Sequence, residues 1–168
     1  MKREKLKRSV RKMRRKDREV TDQSEIRSIL EKTQILHMGL MGEEYPYIVP
    51  LHYGYAYTEG QLIFFMHGAK EGYKLDLIRE NPHVCVELEC DIAPVSGGEV
   101  PCRYGSTFAS VIGRGKAELV EDEKEKIYGL QRLMEHQTGR KFEIDSKMAD
   151  SVAVIKVTVS EFTAKARK

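Results

Sequence analysis

Apolar residues recur along this chain in two rhythms, and the period-two rhythm dominates. Residues 83–90 alternate cleanly, which puts Val84, Val86, Leu88 and Cys90 on the buried face of a strand. Residues 108–120 predict a long strand in which Gly113 and Gly115 mark a bend or bulge, as barrels need. Residues 152–162 predict a final strand. Earlier, residues 35–41 form a short apolar strand, and residues 47–53 a second one rich in β-formers. Pro50 cannot donate to a ladder, so this second strand lies at an edge or faces something other than a strand there. A turn over residues 58–61 then predicts that residues 62–67 return as its hairpin partner.

The helical rhythm appears three times. Asp22 and Glu25 form a capping box ahead of Ile26, Ile29 and Leu30. Residues 74–80 turn Leu75 and Ile78 inward and stop at Asn81 and Pro82. Asp122 caps a helix carrying Ile127, Leu130 and Met134. Between these, residues 91–103 are rich in Pro and Gly and predict a loop. There are no internal repeats. The order of elements makes a small, mainly antiparallel barrel with helices outside.

The chemistry concentrates at residues 66–74. A strand end at Met66 and His67, a turn bearing Gly68, Lys70 and Gly72, and a helix start at Tyr73 and Lys74 form a recipe for holding a phosphate. Unpaired N–H groups at a helix N-terminus and the helix dipole both favour an anion. Lys70 and Lys74 are expected to add charge to the same spot. The competing explanation is an ordinary turn with solvated lysines, since the motif is looser than a P-loop.

Composition narrows the class. The chain of 168 residues fits one domain, and no apolar run is long enough to span a membrane. The charged N-terminus has no apolar stretch behind it, which argues against a secretory signal. Cys85, Cys90 and Cys102 are odd in number and unevenly spaced, as expected of a reducing cytoplasm rather than a disulfide framework. The net charge of +3 hides an asymmetry: residues 1–18 hold 11 Lys/Arg against 2 Asp/Glu. A basic arm, residues 1–12, thus precedes a mildly acidic domain, residues 13–168. The arm has no interleaved aromatics for base stacking, so it makes a weak case for nucleic acid.

Several phrases together resemble the pyridoxamine 5′-phosphate oxidase-related flavoproteins, specifically the nitroimidazole-resistance branch. They are residues 14–20, 49–55, 67–75, 81–85, 104–113 and 163–165, and their order and spacing carry the likeness across residues 13–166. The resemblance implies a six-stranded antiparallel split β-barrel with peripheral helices, a homodimer, and FMN in a groove at the subunit interface. Carried over to this sequence, it assigns Val49, Pro50, Leu51 and His52 to the flavin ring. Met66 and His67 fall at the ribityl–ring junction, and Gly72, Tyr73 and Lys74 at the phosphate. Ser106 or Ser110 would reach the cofactor from the partner subunit. It also implies a histidine near the substrate pocket; His67 and His52 are the candidates, with His67 favoured as a proton donor.

The chain departs from the oxidase proper. That enzyme has arginine and lysine where Tyr47 and His52 stand, arginine where Tyr73 stands, and a closing Arg/His segment that residues 160–168 lack. Oxidation of pyridoxamine phosphate is therefore not expected. The expected function is FMN-dependent reduction of small aromatic acceptors such as 5-nitroimidazoles. The alternatives are a flavin-binding or electron-carrying module without catalysis, an oxidase-like protein lacking oxidase activity, or a basic-armed binding protein whose barrel only dimerises. A zinc site is not expected, because Cys85 and Cys90 lie an odd number of residues apart and point to opposite faces of one strand. His37, His83 and His136 are expected to be structural or surface residues.

Overall fold

The computed structural model describes residues 13–168; the basic arm, residues 1–12, lies outside them. Eight strands and four α-helices follow in order: β1 (Glu19–Val20), α1 (Gln23–Lys32), β2 (Ile35–Leu40), β3 (Tyr47–His52), β4 (Gly54–Thr58), β5 (Gln61–Gly68), α2 (Tyr73–Glu80), β6 (His83–Val95), β7 (Gly105–Leu119), α3 (Glu123–Thr138), α4 (Ser146–Asp150) and β8 (Ala153–Arg167). The sheet runs β3-β2-β6-β7-β8-β5-β4, and β1 pairs with β8. All pairings are antiparallel.

The two ends of that path are one stretch of chain. β3 pairs with β2, whereas β4, one residue further on, pairs with β5. The break falls at Tyr53, whose ring is fully buried and whose hydroxyl donates to the Leu30 carbonyl at 2.8 Å. Burying so large a side chain contributes about 1.5–3 kcal/mol, which pins the bend to the core. Counting residues 47–58 as a single bent strand gives six strands around the barrel. β3 and β5 approach across the remaining seam without forming a ladder, so the barrel is split there.

The hairpin turn is where the sequence put it, but its partner is not. Residues 61–68 pair with Gly54–Thr58, not with residues 47–53, because the chain bends at Tyr53 and exchanges neighbours. The expected loop over residues 91–103 is also shorter than predicted. β6 continues to Val95 past a register shift between Cys90 and Ala93, and Pro94 and Val95 still pair with β7. The bend expected near Gly113 and Gly115 is present as a register shift between Arg114 and Gly115 against β8.

The barrel interior is filled by alternate residues of each strand, among them Leu36, Met38, Phe64, Met66, Leu88, Val111 and Ile155. α1 covers one side with Ile26, Ile29 and Leu30. α3 presses Leu130 and Leu133 inward, whereas Ile127 and Met134 are only half-buried. Its approach to the barrel is unusually close: a Cβ on Gly54 would lie 2.2 Å from the Leu133 nitrogen. Only a glycine lets this helix backbone rest on β4.

Candidate functional site

Three of the four α-helices begin with an aspartate whose carboxylate accepts a backbone N–H three residues on: Asp22 from Glu25, Asp122 from Glu125, and Asp145 from Met148, at 2.7–2.9 Å. α2 does not. Its N-cap is Gly72, which has no side chain to offer and holds φ 141° and ψ 158°, a conformation that strains any L-residue. The Gly72 carbonyl accepts from the Leu75 and Asp76 nitrogens. The N–H groups of Tyr73 and Lys74, in the first turn, have no intrahelical acceptor.

Lys74 reaches back over this opening. Its Cε and Nζ lie 3.1 Å from where a Cβ on Gly68 would stand, so the ammonium caps the end of β5. Among the described residues, no carboxylate lies within ion-pair distance of it. Lys70 does not join it. That ammonium is 3.4 Å from Asp150 on α4, so the expected second lysine at this spot is drawn elsewhere by an acid. The Tyr73 ring meets Tyr47 edge-on, with centroids 5.1 Å apart, which ties the start of α2 to β3.

His67, next to Gly68 on β5, is exposed by area yet surrounded closely enough that desolvation lowers its pKa. Electrostatic coupling to His52 and Lys74 acts in the same direction. The three side chains therefore share one electrostatic neighbourhood across the seam. In the free protein at neutral pH, His67 is uncharged. His52 is held by α3: its Nδ1 is 2.9 Å from Gln137 Oε1.

The pleat sorts the residues assigned to the ring. Pro50 and His52 face outward, as does Ile48, whereas Val49 and Leu51 turn their side chains toward the core. Met66 is fully buried, so only its backbone is available to a ligand. Ser106 and Ser110 lie on β7, two strands from β5 and three from β3, and one chain does not bring them into this cluster. Ile48 and Gln137 were not singled out from the sequence, and Tyr47 was noted only where the oxidase has arginine. The alternation of β3 signals Ile48; nothing local signals Gln137, whose contact with His52 spans 85 residues.

A cavity of about 570 Å³ opens on the outer face of β2, β3, β6, β7 and β8. Its lining includes Met41, Ile48, Cys85 and Arg114, but not His52, His67 or Lys74. Chemistry and concavity thus adjoin at β3 without coinciding in one chain. The cysteines form no metal site among the described residues: Cys85 is exposed and Cys90 half-buried on the other side of β6. His37, Glu87 and Glu89 do converge on the outer face. Burial and the neighbouring Glu89 raise the Glu87 pKa, and the His37 Nδ1, 3.2 Å away, partly offsets this. Exposed carboxylates so arranged need no ion.

The sequence matches the family model for pyridoxamine 5′-phosphate oxidase over residues 22–166. The chain belongs to that family. A search of curated proteins found no match. Among solved structures, a candidate 5-nitroimidazole antibiotic resistance protein from Bacteroides thetaiotaomicron is 29% identical, with a TM-score of 0.74 over 88% of this chain and 86% of its own. The flavocytochrome Anf3 from Azotobacter vinelandii is 24% identical, with a TM-score of 0.69 over 88% of this chain and 68% of its own. An FAD- and heme-binding protein from Mycobacterium smegmatis is 15% identical, with a TM-score of 0.74 over 90% of this chain and 74% of its own. The last two establish the shared split-barrel fold. No α-helix among the described residues is long and apolar enough to cross a membrane.

Proposed function

We propose that this protein is a homodimeric FMN-dependent reductase of small aromatic acceptors, 5-nitroimidazoles among them. The observation that carries the reading is the α2 N-terminus: an uncapped helix start at Gly72, two open N–H groups, and Lys74 with no carboxylate partner among the described residues. A terminal phosphate monoester supplies what this place lacks, a dianion whose oxygens accept from backbone N–H and ammonium together. The outward-facing Pro50 and His52 of β3 are the residues that would hold the flat ring of such a cofactor.

Bound in that position, a flavin supplies two-electron transfer to the acceptor. A nitro group consumes two electrons and two protons in becoming nitroso and water. The electrons come from a nicotinamide or a partner protein. The residues govern the protons. Desolvation, and then the charge of Lys74, depress His67 in the free protein; a dianion bound beside it would oppose both, and a ring nitrogen of His67 would then hold a proton to give.

The cluster is open to solvent in one chain, and the outward face it belongs to carries bare apolar groups. Ile48 is 65% exposed and Ile112 48%, with Ile35 and Met41 exposed beside them. A second copy packed on this face buries those residues, walls the cavity, and brings Ser106 or Ser110 to the cofactor.

Mass identification of the ligand that copurifies, followed by anaerobic reduction and addition of a 5-nitroimidazole, tests the reading. FMN that is reoxidised by the nitro compound supports it. FMN that is not reoxidised leaves an electron carrier and removes the enzyme; a chain that takes up no flavin removes both.

A further inference from the structure

Gln137 makes three hydrogen bonds, and together they leave no freedom in how it is oriented. Its Nε2 is 2.8 Å from the Tyr53 carbonyl and 3.0 Å from the Gln34 carbonyl. Two acceptors take both amide protons. Turning the amide over would set its oxygen against two carbonyl oxygens, so the Oε1 must be the atom facing His52, 2.9 Å from Nδ1. An amide oxygen only accepts. The His52 Nδ1 must therefore carry a hydrogen.

The arrangement has a structural cause. α3 lies directly on β4 at Gly54, where a Cβ would meet the Leu133 nitrogen. Gln137 follows Leu133 by one helical turn, so it projects from the same face of the helix onto the Tyr53 bend, where β3 ends at His52. The bend leaves the Tyr53 carbonyl between two ladders, and Gln137 satisfies it.

We propose that Gln137 is a positioning residue that locks the neutral His52 imidazole in the Nδ1–H form, so that its Nε2 meets a ligand as a hydrogen-bond acceptor. Resting on the flavin reading, this deepens it. The complementary group is a donor on the ring's polar edge, and the imide N–H of an isoalloxazine, flanked by two carbonyls, is such a group. Neutral His52 is then a reader of the ring rather than a source of protons, and proton delivery falls to His67.

Two measurements test this separately. The first is long-range ¹H–¹⁵N correlation on the cofactor-free protein above pH 8, with His52 assigned through His52→Gln. The expected result is an Nδ1-protonated ring in the wild type that shifts toward the Nε2–H form in Gln137→Met. A wild-type His52 protonated at Nε2, or one unchanged in Gln137→Met, overturns the tautomer lock. No flavin is needed, so this arm stands or falls apart from the functional proposal. The second is titration with FMN. Gln137→Met is expected to weaken binding about 3- to 10-fold, the size of one neutral hydrogen bond. His52→Phe, which leaves Gln137 in place, is expected to match it. Wild-type affinity in both variants overturns the reading of the ring edge. Failure of the wild type to bind FMN at all overturns the flavin reading instead.

Discussion

Gly72 and Lys74 contribute to the proposed anion site in different ways, and substitutions separate them. Gly72→Ala forces an L-residue into φ 141°. It is expected to lower stability by about 1–3 kcal/mol and to weaken FMN by disturbing the first turn of α2, as thermal melts and titrations would show. His136 gives a prediction independent of ligand. Its ring packs at a tilt against Tyr53 with centroids 4.6 Å apart, and its Nε2 is 2.7 Å from the Thr33 carbonyl. Burial lowers its pKa below the usual histidine value. The folded state therefore binds this proton less readily than the unfolded chain. Stability should be full above about pH 6.5, the unfolded value, and fall as pH drops toward the lowered folded value. His67 contributes with the same sign. His136→Gln should flatten part of that slope in melts between pH 7.5 and 5.5; an unchanged slope would remove His136 from the account. At this scale, the turn over residues 66–74 was legible because its signals are local: a glycine at a helix start and a lysine two residues on. Gln137 was not, since a polar residue on a helix has no periodic mark, and its meaning depends on a strand 85 residues earlier.

The helix seat on β4 and the bend at Tyr53 act at the scale of elements. Gly54→Ala places a methyl 2.2 Å from the α3 backbone, so the helix must lift away from the barrel. Overpacking of this kind costs about 1–3 kcal/mol, and here it should also pull Gln137 from His52. The expected result is a lowered melting temperature together with weakened FMN binding; a variant as stable as the wild type would mean that α3 does not rest where described. The strands themselves could be read from their period-two alternation, and the caps at Asp22 and Asp122 from residue type. Pairing was harder. Residues 47–58 look like a strand followed by a turn, and only burial of the Tyr53 ring reveals that the chain changes partners there. Pro50 did carry usable information: β3 pairs on one side only. The strand continuing to Val95 could not be read, because Pro94 is tolerated after a register shift that no local pattern announces.

At the scale of the whole molecule, the proposal requires two chains. Ile48→Glu and Ile112→Glu, each placing a charge on the bare outward face, should convert a dimer to a monomer in sedimentation experiments and lose flavin together with assembly. A monomeric wild type would contradict the interface. Binding should also respond to pH. The free-protein pKa of His67 is lowered by desolvation and by the nearby Lys74 charge, and a bound dianion would raise it. FMN binding then takes up a proton between those two values, and affinity falls as pH rises through that window. Calorimetry in buffers of different ionisation enthalpy would register this uptake.

The central claim is that the start of α2 holds a flavin phosphate, and the comparison of FMN with riboflavin in wild type and Lys74→Met tests it most directly. Two charge-assisted hydrogen bonds of about 1.5 kcal/mol each predict a preference for FMN of about 100-fold in the wild type. Lys74→Met removes one of these bonds, so the preference should fall about tenfold, with riboflavin affinity unchanged. Equal affinity of the wild type for both flavins, or a preference untouched by the substitution, would contradict it.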